Sequence, residues 1–325
     1  MFPVVLLVIY CVLIVIASLA GGWLPKLMRL THTRMQIMMS LVGGLMLGVG
    51  ILHLIPHAVA MTGSIDRAMM ATLVGLLCMF ALIRVFHVHQ HGTLEDDHGH
   101  DCNHDSHPHV ASPGELPVVQ SQAAHSHAHD HHHHHHPAGP GVAYSWVGLA
   151  FGLALHTLID GMALGATVAS EALLHDHQHE TFALLGLGTF LAVLLHKPLD
   201  AMSITTVMEA GQWSPRAIGW INFAFSLMCP AGAALFYFGV DALGEHQSLV
   251  VGLALAFAGG VFLCISLADI LPEVSFHSHD RFALTSALLA GVLLAYGIGF
   301  LEPSHAHHGH DHSSQAKDAH HGHAH

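Results

Sequence analysis

Residues Trp146-Val147-Gly148-Leu149-Ala150-Phe151-Gly152-Leu153-Ala154-Leu155-His156-Thr157-Leu158-Ile159-Asp160-Gly161-Met162-Ala163-Leu164-Gly165 form an apolar run holding one histidine and one aspartate. An α-helix needs about 20 such residues to cross a bilayer. An ionisable side chain inside such a span is costly and marks function by default. The rest of the chain has the same character. Of 325 residues, 52% are hydrophobic and 10% charged, whereas soluble chains carry about 25% charged residues. Mean hydropathy is +0.52, although two stretches are almost wholly polar. Too little charge remains to cover a water-facing surface. The composition therefore predicts an all-α polytopic membrane protein in a lipid bilayer.

Read with a bilayer-length window, the sequence predicts eight transmembrane helices, at about 2–22, 35–61, 67–87, 143–170, 181–209, 216–240, 247–270 and 283–302. Residues 1–87 hold helices one to three and 143–302 hold helices four to eight. The first span contains Ser18-Leu19-Ala20, which resembles a signal-peptide cleavage site. It lacks a basic leader and is longer than a signal peptide's apolar core, so it reads as a retained span. Lys26, Arg29, Arg34, Arg84, Arg216 and Arg281 follow odd-numbered spans, and only Arg67 and Lys317 fall on the other side. Basic residues favour the cytoplasm, so both termini are expected outside it and the 88–142 connection inside.

That connection holds sixteen His, seven acids and no Lys or Arg; residues 303–325 repeat the style with nine His. Neither has the apolar residues to build a core, so both are expected to be disordered. Neutral imidazoles suit zinc and similar ions, which points to metal buffering or sensing. With 9 basic against 22 acidic residues, nucleic acid is not an expected partner, because phosphate neutralisation needs basic side chains. Four of the five cysteines lie in apolar runs, so no disulfide framework is implied.

Span four carries His156-x-x-x-Asp160-Gly161, and span five carries His196-Lys197-Pro198-Leu199-Asp200. In each, His and Asp sit one helical turn apart on one face. Two such faces brought together offer two imidazoles and two carboxylates, a four-ligand set for Zn2+ or a similar divalent ion. The alternative is that each pair simply hydrogen-bonds within its own helix. Lys197 needs a carboxylate partner if buried, with Asp160 or Asp200 in reach; the alternative is that it snorkels or faces a water-filled cavity. Pro198 frees a backbone carbonyl and bends its helix, and Gly161 and Gly165 allow close helix approach.

A second signal is an internal repeat. Gly43-Gly44 leads to His53 and Pro56-His57, and Gly259-Gly260 leads to Asp269 and Pro272-Glu273, at a constant offset of 216. Matched broken helices in opposite orientation point to the substrate path of a transporter built from inverted repeats. His53, His57, Asp269 and Glu273 are expected as secondary or access metal positions; the alternative is polar groups that secure helix ends.

These motifs resemble the ZIP (Zrt/Irt-like) family of divalent-metal transporters. The likeness rests on the eight spans, the His-rich loop between spans three and four, His156-x-x-x-Asp160-Gly161 and His196-x-Pro-x-Asp200. It implies metal movement into the cytoplasm by alternating access, with an elevator-like motion. It implies no organic cofactor and no enzymatic activity. The cargo implied is Zn2+, with Fe2+, Mn2+ and Cd2+ also compatible with these ligands. Many members carry Asn after the first histidine and an acid after the second, which completes a second metal position. Here those places hold Thr157 and Lys197, and Cys229-Pro230 stands where some members have Glu-Pro. The pattern is similar to single-site members with His-Lys in span five, placed in plasma or Golgi membranes. A cell or inner membrane is the first expectation, with a homodimer open as the assembly. Cys229 is a further secondary metal candidate.

Two rivals share the ligand chemistry. A cation-diffusion-type exporter would more naturally have six spans and a cytosolic C-terminal domain, and a His-rich membrane protein could bind or sense metal without transport. An intramembrane metalloprotease would need His-Glu-x-x-His on a helix, and the sequence has none.

Overall fold

The computed structural model describes residues 2–27, 32–91, 145–174, 184–276 and 281–300. The expected disordered segments 88–142 and 303–325 lie outside the described residues, except that the third helical stretch continues to His91. In hydrocarbon every backbone polar group must be satisfied within its own segment, and all regular structure among the described residues is helical. The helices are α1 Phe2–Leu27, α2 His32–Val49, α3 Ile55–Thr62, α4 Ile65–His91, α5 Ser145–Leu174, α6 Leu187–Ala210, α7 Pro215–Ser226, α8 Met228–Val240, α9 Gln247–Phe276 and α10 Arg281–Ile298.

Among the described residues, six helical stretches are long and apolar enough to cross a membrane. One of them, Pro215–Ala268, has 54 residues, about 80 Å at 1.5 Å per residue against a hydrocarbon core of about 30 Å. It cannot be one crossing, and it breaks at Gly244, where φ is 53° and ψ −121°. Phe282–Ile298 is apolar but shorter. The expected fifth span begins at Leu187 rather than near 181, because Gly186 adopts φ 70° and a left-handed residue does not continue an α-helix.

The two repeats are not broken alike. Gly50–Leu54 forms a π segment between α2 and α3, and Ile55 donates its N–H to the Gly50 carbonyl. Pro56 follows at once; its ring would meet the Leu52 carbonyl in an α-helix, and the wider π turn relieves that clash. Its counterpart Pro272 lies inside α9, which stays helical to Phe276. The expectation of matched breaks is corrected to one break. Pro198 likewise sits within an uninterrupted α6.

Glycines set the packing. A Cβ on Gly44 would overlap the Leu288 carbonyl, and one on Gly260 would overlap the Thr72 carbonyl. A Cβ on Gly75 would overlap the Phe257 carbonyl, and one on Gly291 the Leu41 carbonyl. Each contact becomes its partner when one residue is advanced by 216 and the other set back by 216. The repeat seen in sequence is therefore a two-fold exchange, pairing α2 with α10 and α4 with α9. A second set joins α5 to α8, where Gly161 and Gly165 abut the Cys229 and Ala233 carbonyls and Gly232 abuts the Leu158 carbonyl. Gly21 lies against the Pro198 backbone, joining α1 to α6, and Gly22 against Asn222 of α7. Two groups result: α1 with α5–α8, and α2–α4 with α9 and α10. None of these close approaches crosses between the groups. Their boundary is larger apolar side chains, as where Ile159 packs against Met79, Val261 and Cys264.

Gly44→Leu and Gly260→Leu would each force a side chain into a backbone carbonyl, with an expected loss of at least about 1–3 kcal/mol. Gly219 has nothing within 4 Å of a Cβ, so Gly219→Ala should melt no lower than the parent. Thermal unfolding in detergent compares the three; a parental melting temperature for both leucine variants would contradict the seam.

Candidate metal centre

Helices α5 and α6 run antiparallel, and one register brings His156 and Asp160 opposite His196 and Asp200. Among the described residues these four form one converging group, with one ligand atom from each lying within 4.8 Å of the others. His196 Nε2 is 3.1 Å from Asp160 Oδ2 and 3.7 Å from Asp200 Oδ2. His156 Nε2 is 3.4 Å and 3.8 Å from the same two oxygens. The two rings are 5.5 Å apart between centroids. The pairs do not close on themselves helix by helix: the shortest His–Asp contact runs between helices.

The imidazoles are oriented for ligation. His196 Nδ1 donates to the Ala192 carbonyl at 2.7 Å. A carbonyl only accepts, so Nδ1 holds its proton there. Nε2, 3.1 Å from Asp160 Oδ2, donates to that carboxylate when the ring carries both protons and offers its lone pair to an ion when the ring is neutral. A backbone partner on the far nitrogen is the usual way a ligating histidine is held. His156 Nδ1 and Asp160 Oδ1 are buried without a protein partner, which leaves Asp160 with unused acceptor capacity. Two carboxylate oxygens and two Nε2 atoms make a donor set that fits a divalent ion of zinc's preference.

Lys197 is 0% exposed, so it neither snorkels nor faces water. Its Nζ donates to Asp160 at 2.9 Å, Asp200 at 3.1 Å and Thr157 at 2.8 Å, and sits 5.6 Å from the centroid of the Phe225 ring. The ammonium bridges both carboxylates rather than choosing one, and all three of its protons have acceptors. Asp200, at 16% exposure, is the open edge of the group, while Asp160 is fully enclosed.

The remaining candidates are placed elsewhere. His53 Nε2 donates to the Ala295 carbonyl and His57 Nδ1 to the His53 carbonyl, each at 2.8 Å. These bonds tie the π segment to α10 and to α3, and neither histidine joins a larger ligand group among the described residues. The side chains of Asp269 and Glu273 fall outside the described residues. Cys229 is fully buried with a free thiol and is outside the four-ligand group; its carbonyl packs on Gly161. Thr157 and Lys197 line the group, and Pro198 acts through its backbone contact with Gly21.

Spacing alone does not single out Glu171, buried at 1% exposure, whose carboxylate Oε2 accepts the Gly186 N–H at 2.9 Å. The signal for it is an acid on the same face of α5 as Asp160, three helical turns on.

Comparison with known proteins places the chain in a family. A sequence model of the family described as ZIP Zinc transporter matches residues 4–299. Human "Zinc transporter ZIP1" is 29% identical over 166 residues, 51% of this chain and 47% of that protein. "Zinc transporter ZIP9" of Xenopus tropicalis is 28% identical over 184 residues, 54% and 57% of the two chains. Bovine "Metal cation symporter ZIP14" is 30% identical over 164 residues, 49% and 30%. The chain spans about half the length of the curated relatives it matches first.

Lys197→Met removes the buried ammonium and leaves two carboxylates facing each other. Breaking a buried pair in this way typically costs about 3–5 kcal/mol. The variant should melt well below the parent in chelator, and saturating zinc should close much of the gap, because a divalent cation supplies the missing charge. Equal melting temperatures in chelator would contradict the bridge.

Proposed function

We propose that this chain, which belongs to the ZIP zinc transporter family, carries a divalent metal ion, zinc first, across its membrane into the cytoplasm by alternating access. The cargo binds at His156, Asp160, His196 and Asp200. The observation that carries this reading is the convergence of four ligand atoms from two membrane helices within 4.8 Å. Two printed names among the relatives speak of zinc and one of metal cations, which fits a His2Asp2 set that accepts zinc and its neighbours.

The packing supports a moving part. The site lies wholly in the group of α1 and α5–α8, which is sewn together by glycine contacts, as is the group of α2–α4, α9 and α10. Small residues interlock helices at short distance, so each group resists internal rearrangement. The boundary between them has apolar side chains such as Ile159 and Val261 and, among the described residues, no glycine interlock, and such a face can slide. Displacement of one group against the other would expose the site to each side in turn. The two-fold exchange of α2–α4 with α9 and α10 gives the two end states similar packing, as inverted repeats do in carriers. Counting Pro215–Ala268 as two crossings and α10 as one gives eight. The basic residues then place both termini outside the cytoplasm and the His-rich 88–142 connection inside, where it would buffer delivered metal.

Lys197 makes the centre a single-ion site. Two carboxylates and one ammonium leave one net negative charge, which one divalent cation reverses to positive. A second cation would meet both the ion and the ammonium at a few ångströms, a repulsion of several kcal/mol at intermediate effective dielectric.

His156→Ala, Asp160→Ala, His196→Ala and Asp200→Ala should each reach the membrane and each lose most zinc uptake, because three ligands hold the ion more weakly and in poorer geometry. Uptake of radiolabelled zinc into vesicles, with the 92–136 segment deleted to remove surface imidazoles, is the measurement. Near-parental uptake by both histidine variants would contradict the assignment. Efflux in place of uptake would favour the exporter, and binding without flux a metal-sensing membrane protein.

A further inference from the structure

Outside the ligand group, α5 and α6 meet at a second polar contact closer to the turn that joins them. Thr167 Oγ1 donates to the Ala163 carbonyl at 2.8 Å, so its single proton is used, and the 3.1 Å bond to Thr189 Oγ1 has Thr189 as donor. One turn beyond, Glu171 Oε2 accepts the N–H of Gly186, which caps the 24-residue α6. The first N–H groups of a helix lack intrahelical partners and carry the positive end of its dipole. That is the environment in which a carboxylate at 1% exposure is compensated. Gly186 is required there, since its φ is 70° and a Cβ would lie 3.2 Å from Val168 Cγ2. All four residues involved are buried or part of the turn itself.

The register of this contact is the register of the site. Thr167 faces Thr189 just as Asp160 faces His196 and His156 faces Asp200; in each pair a step along α5 is matched by a step back along α6. A slip of one residue moves a helix by about 1.5 Å and turns its side chains by about 100°. Metal–ligand distances tolerate only about 0.2 Å. The hydrogen bonds inside the ligand group cannot hold the register alone, because a bound ion would take the facing atoms of His196 and Asp160. Moreover, α5 packs chiefly on α8 and α6 chiefly on α1, so each helix is seated on a different neighbour and their mutual alignment needs its own tie.

We infer that Glu171, through the Gly186 N–H and with the Thr167–Thr189 hydroxyl pair, is a positioning residue that clamps α5 against α6 and so sets the alignment of the four ligands. This rests on the transport-site reading above. Glu171 does not touch the cargo: its place is three turns from Asp160, about 16 Å along the helix, with Oε2 taken by the Gly186 N–H. What it supplies is an acceptor oxygen at a fixed reach, which an amide oxygen reproduces and a methyl group does not.

The test is zinc uptake by the purified full chain in proteoliposomes, resolved into KM and maximal rate, for the parent, Glu171→Ala, Glu171→Gln and Asp160→Ala. Partners that orient ligands typically change metal affinity by about 10- to 100-fold when removed. Glu171→Ala should raise KM within that range with a smaller effect on maximal rate, and Glu171→Gln should return KM close to the parental value. A parental KM in Glu171→Ala overturns the clamp. So does a Glu171→Gln as impaired as Glu171→Ala, which would mean that the negative charge itself meets the cation. If Glu171→Ala fails to insert, Thr189→Val, which removes only the donor hydroxyl, is measured in its place; a raised KM supports the clamp and a parental one overturns it. Asp160→Ala separates the two readings: if it transports normally the site assignment fails, and if it is inactive while the clamp variants are parental, only the clamp fails.

Discussion

Two carboxylates from different helices, Asp160 and Asp200, are brought together inside a bilayer, and one ammonium, that of Lys197, bridges them. The rest of the structure depends on this contact. Removing a carboxylate from water carries a desolvation penalty of several kcal/mol in real proteins, and two facing each other would repel. Lys197 offsets that penalty from within the same helix as Asp200, with Thr157 taking its third proton. The compensation is deliberately incomplete in charge: one negative charge is left over. A site of this kind holds together without cargo and still attracts a divalent cation. A lysine-free pair of carboxylates would need protons or metal to offset its two charges.

A charged group of this sort is tolerated only if its surroundings are rigid, and glycine provides the rigidity. Where α5 meets α8, three glycines put backbone against backbone beside Asp160, and Gly21 does the same behind Pro198. The same device holds the other group of helices, in contacts related by the 216-residue exchange. Close packing within each group and bulky apolar contact between them is the pattern expected of two bodies that move past each other. The clamp at Glu171 and Gly186 belongs to the same logic, since it fixes two helices of one body at a point that the cargo does not disturb.

Much of this was legible in the sequence, for physical reasons. Apolar runs of bilayer length declare helices directly. A His and an Asp four residues apart must share a helical face, so two such runs announced the four side chains that converge before any packing was known. The Gly-Gly repeat was visible because the helix pairs it serves admit no Cβ. Other features were not legible. That Lys197 bridges both carboxylates depends on how α5 and α6 face each other, which neither run encodes alone. The π segment before Pro56 and the uninterrupted helix through Pro272 arise from near-identical local motifs, so their difference comes from tertiary packing. His53 has the same spacing to His57 as the histidines of the converging group have to their aspartates, yet its Nε2 is committed to the Ala295 carbonyl. Glu171 was not singled out, because its partner is the backbone N–H of Gly186, and backbone donors leave no trace in residue identity.

The central claim is that one divalent ion is held by two imidazoles and two carboxylates from α5 and α6. It is tested most directly by zinc X-ray absorption on the purified protein lacking residues 92–136 and 303–325, together with a metal count per chain. The predicted result is one zinc per chain, a first shell of nitrogen and oxygen at about 2.0–2.2 Å, multiple scattering from two imidazoles, and loss of one imidazole in His196→Ala. A sulfur in the first shell, which would bring Cys229 into the site, or two ions per chain, would contradict it.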